Sequence, residues 1–295
     1  MALSLDFLKQ LKKLKLLTRR RVVSSFAGGR ASTRLGRGLE SADKRQYFPG
    51  DDIRFIDWKV YGRTERLFIK QFEEDKSLTT QILIDCSNSM DFKTVEHTKF
   101  EYASMLAAGF MYLITNENEK FGLMTYSTKI KDILKANRGK KQLLKAISVI
   151  NEQNVSGKTD IGKVANEYAK SIKTKSLVIL ISDFLEPVEN IQNAIYRISK
   201  KTRNFIVVHV ADPIEFDLNY KGETRFFDLE TEESKKVYVS PDFQMRYSLR
   251  FMQHVNRIKR ICKAVNADFY SINTKTPIFD SIFDIAHLQG LKVHH

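Results

Sequence analysis

The sequence predicts an α/β fold built on a doubly wound, mostly parallel sheet, and three observations carry the prediction. Residues 176–184, SLVILISDF, hold five consecutive apolar residues that end in Ser182 and Asp183. Residues 81–90, QILIDCSNSM, repeat the arrangement with a shorter run, Ile82, Leu83 and Ile84, before Asp85. Around both, strand-length apolar runs alternate with stretches of helical periodicity. Short unbroken apolar runs belong to strands buried on both faces, as in a parallel sheet. The helices between them supply the crossovers that parallel strands require.

Taken in order, the chain begins with a basic amphipathic helix over residues 1–21. Leu3, Phe7, Leu8, Leu11 and Leu14 share one stripe, and Lys9, Lys12, Lys13 and Lys15 fill most of the other faces ahead of Arg19, Arg20 and Arg21. Such a helix either packs on its own domain with its lysines in water, the reading set slightly ahead, or lies on an anionic membrane surface or an acidic partner. Residues 22–77 form a small β-rich extension. As far as residue 46 it mixes Gly28, Gly29, Gly36 and Gly38 with Arg30, Arg34, Arg37 and Arg45 and reads as a loop. It lacks the GxxxxGK[ST] order that cradles a phosphate. Pro49, Gly50, Asp51 and Asp52 mark a turn, with Ile53, Phe55, Leu67, Ile69 and Phe72 in short strands around it. Asp51, Asp52, Arg54, Asp57 and Arg63 alternate acid and base around Trp58, the single tryptophan. They form either a partner-facing surface or, the favoured reading, an ion-pair network that braces the extension against the domain beside an aromatic anchor.

Residues 78–295 make the main domain. The strand ending at Asp85 is followed by a helix over 99–116, a strand over 120–127, its hairpin partner over 129–136 and a helix over 140–151. Residues 156–162, SGKTDIG, place Thr159 and Asp160 at a loop-to-helix junction, where either residue can serve as N-cap. Then come the strand 176–184, a helix over 188–200, a strand over 204–212, a hairpin insertion near 222–240, a helix over 241–265, a strand over 268–273 and a helix over 278–288. His209 lies amid valines and reads as a core histidine, because no second histidine stands at ligand spacing.

The net charge is +14, and residues 1–50 alone hold 12 Lys and Arg against 3 Asp and Glu, a net of +9. That asymmetry fits a basic arm that meets something anionic rather than a uniformly basic nucleic-acid binder, and no specific nucleic acid is expected. Cys86 and Cys262 lie far apart and give neither a disulfide framework nor metal-ligand spacing, which fits a reducing cytosol. The longest apolar stretch, residues 105–114, is too short for a bilayer, which needs about 20 residues. The N-terminus has no uninterrupted apolar region of a signal peptide. The expected location is the cytoplasm, with the inner membrane face as the place where the basic arm would act peripherally.

Asp85, Ser87 and Ser89 set one carboxylate and two hydroxyls at alternate positions just past a strand's carboxyl end. Open α/β sheets bind their ligands there. Oxygen-only donors suit Mg2+, or another hard divalent cation such as Mn2+ or Ca2+. The alternative is a polar loop that caps the next helix. The order Asp-x-Ser-x-Ser-Met resembles the metal-ion-dependent adhesion site of von Willebrand factor A domains. By that resemblance Thr159 is the second-loop residue and Asp183 the third-loop residue, which completes a metal set of Asp85, Ser87, Ser89, Thr159 and Asp183. The implied fold is von Willebrand A-like, a Rossmann-type sheet. A-domain strands often continue Asp-Gly after the third-loop acid, where this chain has Phe184.

A second resemblance covers residues 30–90 densely and the rest of the chain by pattern. Tyr-x-Pro-Gly-Asp-Asp-x-Arg-x-Ile-Asp-Trp at residues 47–58, then Arg63 and Leu-Phe-Ile-Lys-Gln-Phe-Glu-Glu, closely resembles the bacterial domain-of-unknown-function 58 proteins. Those join such a segment to a von Willebrand A-like domain, and this chain resembles the short form without membrane helices. The resemblance implies a non-enzymatic interaction module in which a partner's carboxylate completes the ion's coordination. It further implies an adaptor of a MoxR-type AAA+ ATPase, acting on a client that the sequence does not name. A rival reading is an Mg2+-dependent hydrolase or phosphotransferase, which needs a nucleophile or base beside the ion. The sequence shows no second Asp in the first motif and no His or Lys pattern nearby, and strand alternation points Cys86 into the sheet. A third reading gives the basic arm a membrane or nucleic-acid surface, with salt-sensitive binding as its mark.

Overall fold

The computed structural model describes residues 3, 7, 10, 11, 41–49, 51–72, 79–172, 175–220, 222–227 and 234–291. In chain order the elements are β1 (Ser41–Gln46), α1 (Trp58–Thr64), β2 (Phe68–Phe72), β3 (Thr79–Asp85), α2 (Lys99–Asn116), β4 (Lys120–Tyr126), β5 (Ile130–Asn137), α3 (Lys140–Asn151), α4 (Ile161–Ser171) and β6 (Ser176–Ser182). They continue with α5 (Val188–Ser199), β7 (Thr202–Ala211), the one-turn α6 (Pro213–Phe216), the hairpin β8 (Gly222–Phe227) and β9 (Ser234–Val239), α7 (Pro241–Ala264), β10 (Asp268–Asn273) and α8 (Ile278–Leu291).

The central sheet runs β10-β7-β6-β3-β4-β5. Every neighbouring pair is parallel except β4 with β5, which a tight turn joins at the sheet edge. This is the α/β, doubly wound, mostly parallel architecture that the alternation predicts. Successive strands build outward from β3 through β4 to one side and from β6 through β7 to the other. The order therefore reverses between β3 and β6, and the crevice above their carboxyl ends is the switch point of the fold.

Strand alternation divides the core between the two faces. Ile82 and Ile84 of β3 pack with α2, α3 and α8, while Leu83 packs with α4, α5 and α7. All three are fully buried, and each such side chain contributes about 1.5–3 kcal/mol. Thr98 starts α2 with a capping box to Glu101, and Ser240 with Pro241 starts α7. Each device satisfies backbone donors that a helix N-terminus leaves open. Gly109 lets α8 approach α2, because a Cβ there would stand 2.4 Å from Ile282 Cδ1 and 3.1 Å from its Cγ1. Gly109→Ala is expected to destabilise by about 1–3 kcal/mol through overpacking, which urea denaturation would measure.

The first 21 residues are described only at Leu3, Phe7, Gln10 and Leu11. Leu3, Phe7 and Leu11 are buried and belong to the α2–α8 side of the core, and Gln10 is exposed. The Leu3 N–H donates to Asn151 Oδ1 at 3.0 Å, and the Phe7 ring stacks on Phe279 with centroids 6.0 Å apart. These three stripe positions face the chain's own domain. The lysines, the Arg19–Arg21 run and the Gly-Arg segment as far as residue 40 lie outside the described residues.

The extension differs from the strand pattern expected of it. Ser41–Gln46, read as loop, is a strand that pairs antiparallel with Phe68–Phe72. Ile53 and Phe55, read as strand residues, form a single 3-10 turn that Asp52 caps, and residues 58–64 are helical. The reason is local capping: Asp57 is 3% exposed and its carboxylate accepts the N–H groups of Lys59 and Val60. Asp51 closes the turn by accepting the Phe48 N–H at 3.0 Å. Asp52 pairs with Arg54 at 2.6 Å on the surface, where ion pairs contribute little. Arg63 reaches back to the Lys59 carbonyl at 3.4 Å. Trp58 is no anchor: it is 64% exposed and lies edge-on to Tyr61. The acids thus serve helix and turn starts, and Phe48, Ile53, Trp58 and Tyr61 stand out from the surface.

Candidate metal site

Three loops converge above the switch point, and the sequence-predicted site residues lie on them. Asp85 ends β3, Ser87 and Ser89 follow in a 3-10 turn, Asp183 follows β6, and Thr159 precedes α4. Asp85, Ser87 and Asp183 are essentially inaccessible, Ser89 is 8% exposed and Thr159 is half-buried.

Hydrogen bonds fix the first loop to itself and to the third. Asp85 Oδ1 accepts the Ser87 N–H at 3.0 Å, and Asp85 Oδ2 accepts the Ser182 hydroxyl at 2.7 Å. Ser87 Oγ and Ser89 Oγ lie 3.1 Å apart. The second loop is tied to the first in both directions: the Asn88 N–H donates to the Gly157 carbonyl at 2.9 Å, and the Gly157 N–H donates to Asn88 Oδ1 at 3.0 Å. Lys131 of β5 adds a brace by donating to the carbonyls of Asn154 and Ser156, each at 2.9 Å. Glu186 closes the ring by accepting the Ile161 N–H at 2.8 Å, which joins the third loop to the second. Gly157 takes φ +88°, a backbone state that glycine enters without strain. Asp160 is the N-cap of α4 and pairs with Lys163, so the capping role weighed for Thr159 and Asp160 falls to Asp160.

The electrostatics of the cluster are those of buried negative charge. Burial, and then the nearby charge of Asp183, push the Asp85 carboxyl up to about 7 against the hydrogen bonds it accepts. Asp183 is met by a residue that the sequence patterns do not single out. Lys99, the first residue of α2, is 1% exposed. Its ammonium donates to Asp183 Oδ2 at 2.7 Å and to Glu215 Oε1 at 2.8 Å. Burial pulls the Lys99 pKa down, but the two carboxylates outweigh it and hold the group above its ordinary value. Glu215 is fixed in turn, because its Oε2 accepts the Asp212 N–H at 2.7 Å. Asp212 caps α6 and accepts both the N–H and the hydroxyl of Thr94. A signal for Lys99 exists in the sequence: the helix that follows a switch-point strand starts beside the site, and Thr98 with Glu101 marks that start.

Phe184, where A-domain chains often have Gly, takes φ +49°. This left-handed state costs a non-glycine residue about 1–2 kcal/mol. Its ring is buried near His209, and its carbonyl stands 2.8 Å from His254 Nε2 of α7. His209 is a core residue, as expected: Nδ1 meets Ser271 Oγ at 2.9 Å, and burial takes the imidazole down to about 4. Cys86 is fully buried on the α2 side of the sheet, its Sγ donates to the Tyr126 carbonyl at 3.0 Å, and burial pushes its thiol up to about 12. Neither Cys86 nor Cys262 is expected to react with iodoacetamide at pH 8 in the folded protein. Both should be labelled in urea, which mass spectrometry would show.

The donor chemistry fits a hard divalent cation. Two carboxylates buried in each other's field, one of them paired with Lys99, and two hydroxyls in contact are oxygen donors of the kind such an ion takes. Among the described residues no three His, Cys, Asp or Glu side chains gather as a metal set, so a site here depends on its hydroxyls. No described helix is long and apolar enough to cross a membrane.

Comparison with known proteins gives relatives that align over most of the chain. The chain is 23% identical over 267 residues to uncharacterized proteins of Mycobacterium bovis and Mycobacterium tuberculosis, covering 90% of this chain and 84% of theirs. Similar solved structures include an aerotolerance-related membrane protein from Bacteroides fragilis, at TM-score 0.48 and 16% identity, covering 73% of this chain and 98% of that one. The conserved hypothetical protein BatB from Bacteroides thetaiotaomicron is similar at TM-score 0.46 and 16% identity, with the same coverage. The family described as "Protein of unknown function DUF58" matches residues 43–257, most of the chain. The chain belongs to this family.

Proposed function

We propose that this protein is a non-enzymatic interaction module that holds a divalent cation at Asp85, Ser87, Ser89, Thr159 and Asp183 and captures a partner's carboxylate through it. Mg2+ is the expected ion, with Mn2+ or Ca2+ as substitutes. One observation carries the reading: two buried carboxylates and two contacting hydroxyls meet at the sheet's switch point on the first and third loops, and the second loop, which carries Thr159, is tied to both. When bound, the ion supplies a Lewis-acidic position that takes an anionic oxygen from outside the chain. The chain's own residues hold it in place and exclude water from the inner side of the site. The partner class we propose is a MoxR-type AAA+ ATPase together with a client protein, which rests on the family resemblance.

Among the described residues, the lysine, histidine and cysteine nearest the site do not suit the hydrolase alternative. Lys99 is protonated and held by two carboxylates, so it is no base. His209 is sealed among Phe184, Phe251 and Phe269, and the Cys86 thiol is protonated and inaccessible. A nucleophile or general base must reach the reacting atom.

The test is co-purification from the source cell with wild type and with Asp85→Ala/Asp183→Ala, each in Mg2+ and in EDTA. Recovery of an AAA+ ATPase by wild type in Mg2+ alone is the expected result. Equal recovery in all four conditions would sink the metal-bridged reading and turn attention to the exposed Trp58 surface.

A further inference from the structure

We propose that Lys99 is a built-in counter-ion that sets how tightly the site holds its divalent cation, because its ammonium takes up Asp183 charge that would otherwise go to the ion. This rests on the metal-site reading above and deepens it.

The geometry makes Lys99 a fixed partner rather than a passing one. It is 1% exposed, and it bonds Asp183 at 2.7 Å and Glu215 at 2.8 Å. Its ammonium also lies 5.9 Å from the centre of the Phe92 ring. Glu215 is held by the Asp212 N–H, so the ammonium is anchored on the side away from Asp183 as well as on it. Two carboxylates, Asp183 and Glu215, share this one cation, while Asp85 lies in the field of Asp183.

An ammonium on Asp183 Oδ2 weakens that carboxylate as a metal ligand. The ion then binds less tightly to the protein and keeps more attraction for an external carboxylate. Glu215 controls the division. With Glu215 charged, Lys99 is shared; with Glu215 neutral, Lys99 belongs to Asp183 alone.

The experiment is Mn2+ titration, followed by the electron paramagnetic resonance signal of free Mn2+, on wild type, Glu215→Gln and Lys99→Met/Glu215→Gln. Circular dichroism confirms the fold of each. Glu215→Gln is expected to weaken Mn2+ binding by about tenfold and the double variant to strengthen it by about tenfold, the scale of one partly screened charge at contact distance. If the double variant does not fold, Glu215→Gln alone decides. Wild-type affinity in every folded variant would overturn the proposal while leaving the metal site standing. No Mn2+ binding by wild type would overturn the metal-site reading, and the role of Lys99 with it.

Discussion

Asp85→Asn is expected to abolish divalent-cation binding while leaving the cation-free protein as stable as wild type, or more stable, at pH 8. The two effects share a cause. Asp85 is fully buried within the field of Asp183, and its folded pKa, about 7, lies above the unfolded value of 3.8. Between those values the folded state binds more protons than the unfolded state. Without a cation, the Asp85 contribution to stability is therefore fully present below about pH 3.8, is lost as pH rises from there through about 7, and stays absent above it. A tenfold difference in proton affinity between the two states is worth about 1.4 kcal/mol, so the loss is on the order of a few kcal/mol. An Asn removes the charge and keeps one oxygen to accept from Ser87 or Ser182. Added Mg2+ should stabilise wild type far more at pH 8 than at pH 5, and should not stabilise Asp85→Asn at either. Urea denaturation with and without Mg2+ measures all four quantities.

Lys99→Met is expected to be the most destabilising of these substitutions, by about 3–5 kcal/mol, because it leaves the buried Asp183 and the partly buried Glu215 without their shared cation. Adding Glu215→Gln removes one of the stranded charges and should recover a large part of the loss. The recovery, read as a coupling energy from the four-member cycle of wild type, both singles and the double, separates a true charge triad from simple loss of packing. Additive effects would mean that the methylene stem of Lys99, and not its ammonium, matters to the fold.

The sheet is legible in the sequence because its strands are extreme. Residues 177–181 are fully or almost fully buried, and nothing but a central strand accounts for five such residues between polar ends. The helices are legible for the converse reason: α2 opens on Thr98 and Glu101, and α5 repeats Ile191, Ala194, Ile195 and Ile198 on one buried face. The extension is less legible, because its order comes from capping rather than from periodicity. Asp57 and Asp52 start a helix and a turn within seven residues, and the apolar residues near them mimic strand alternation. Trp58 misleads for a related reason, since a lone tryptophan reads as an anchor while the helix that carries it turns the ring outward.

The site shows the same division. Asp85, Ser87 and Ser89 are neighbours in sequence, so spacing alone reveals them. Thr159 and Asp183 enter the candidate set by the resemblance to von Willebrand A domains, and the end of β6 and the start of α4 show only where they lie. The pairing of Lys99 with Glu215 stays hidden because no spacing links them: 116 positions apart, they meet only because α2 and α6 both begin at the carboxyl edge of the sheet. A buried lysine found this way changes the chemistry expected of the site, since one of its two carboxylates is already shared.

The most direct test of the account is anomalous diffraction from crystals grown with Mn2+. The account predicts one strong peak bonded to the Ser87 and Ser89 hydroxyls, with at least one further ligand oxygen that belongs to water or to another molecule. A well-ordered crystal in millimolar Mn2+ with no peak between the β3 and β6 loops would contradict it.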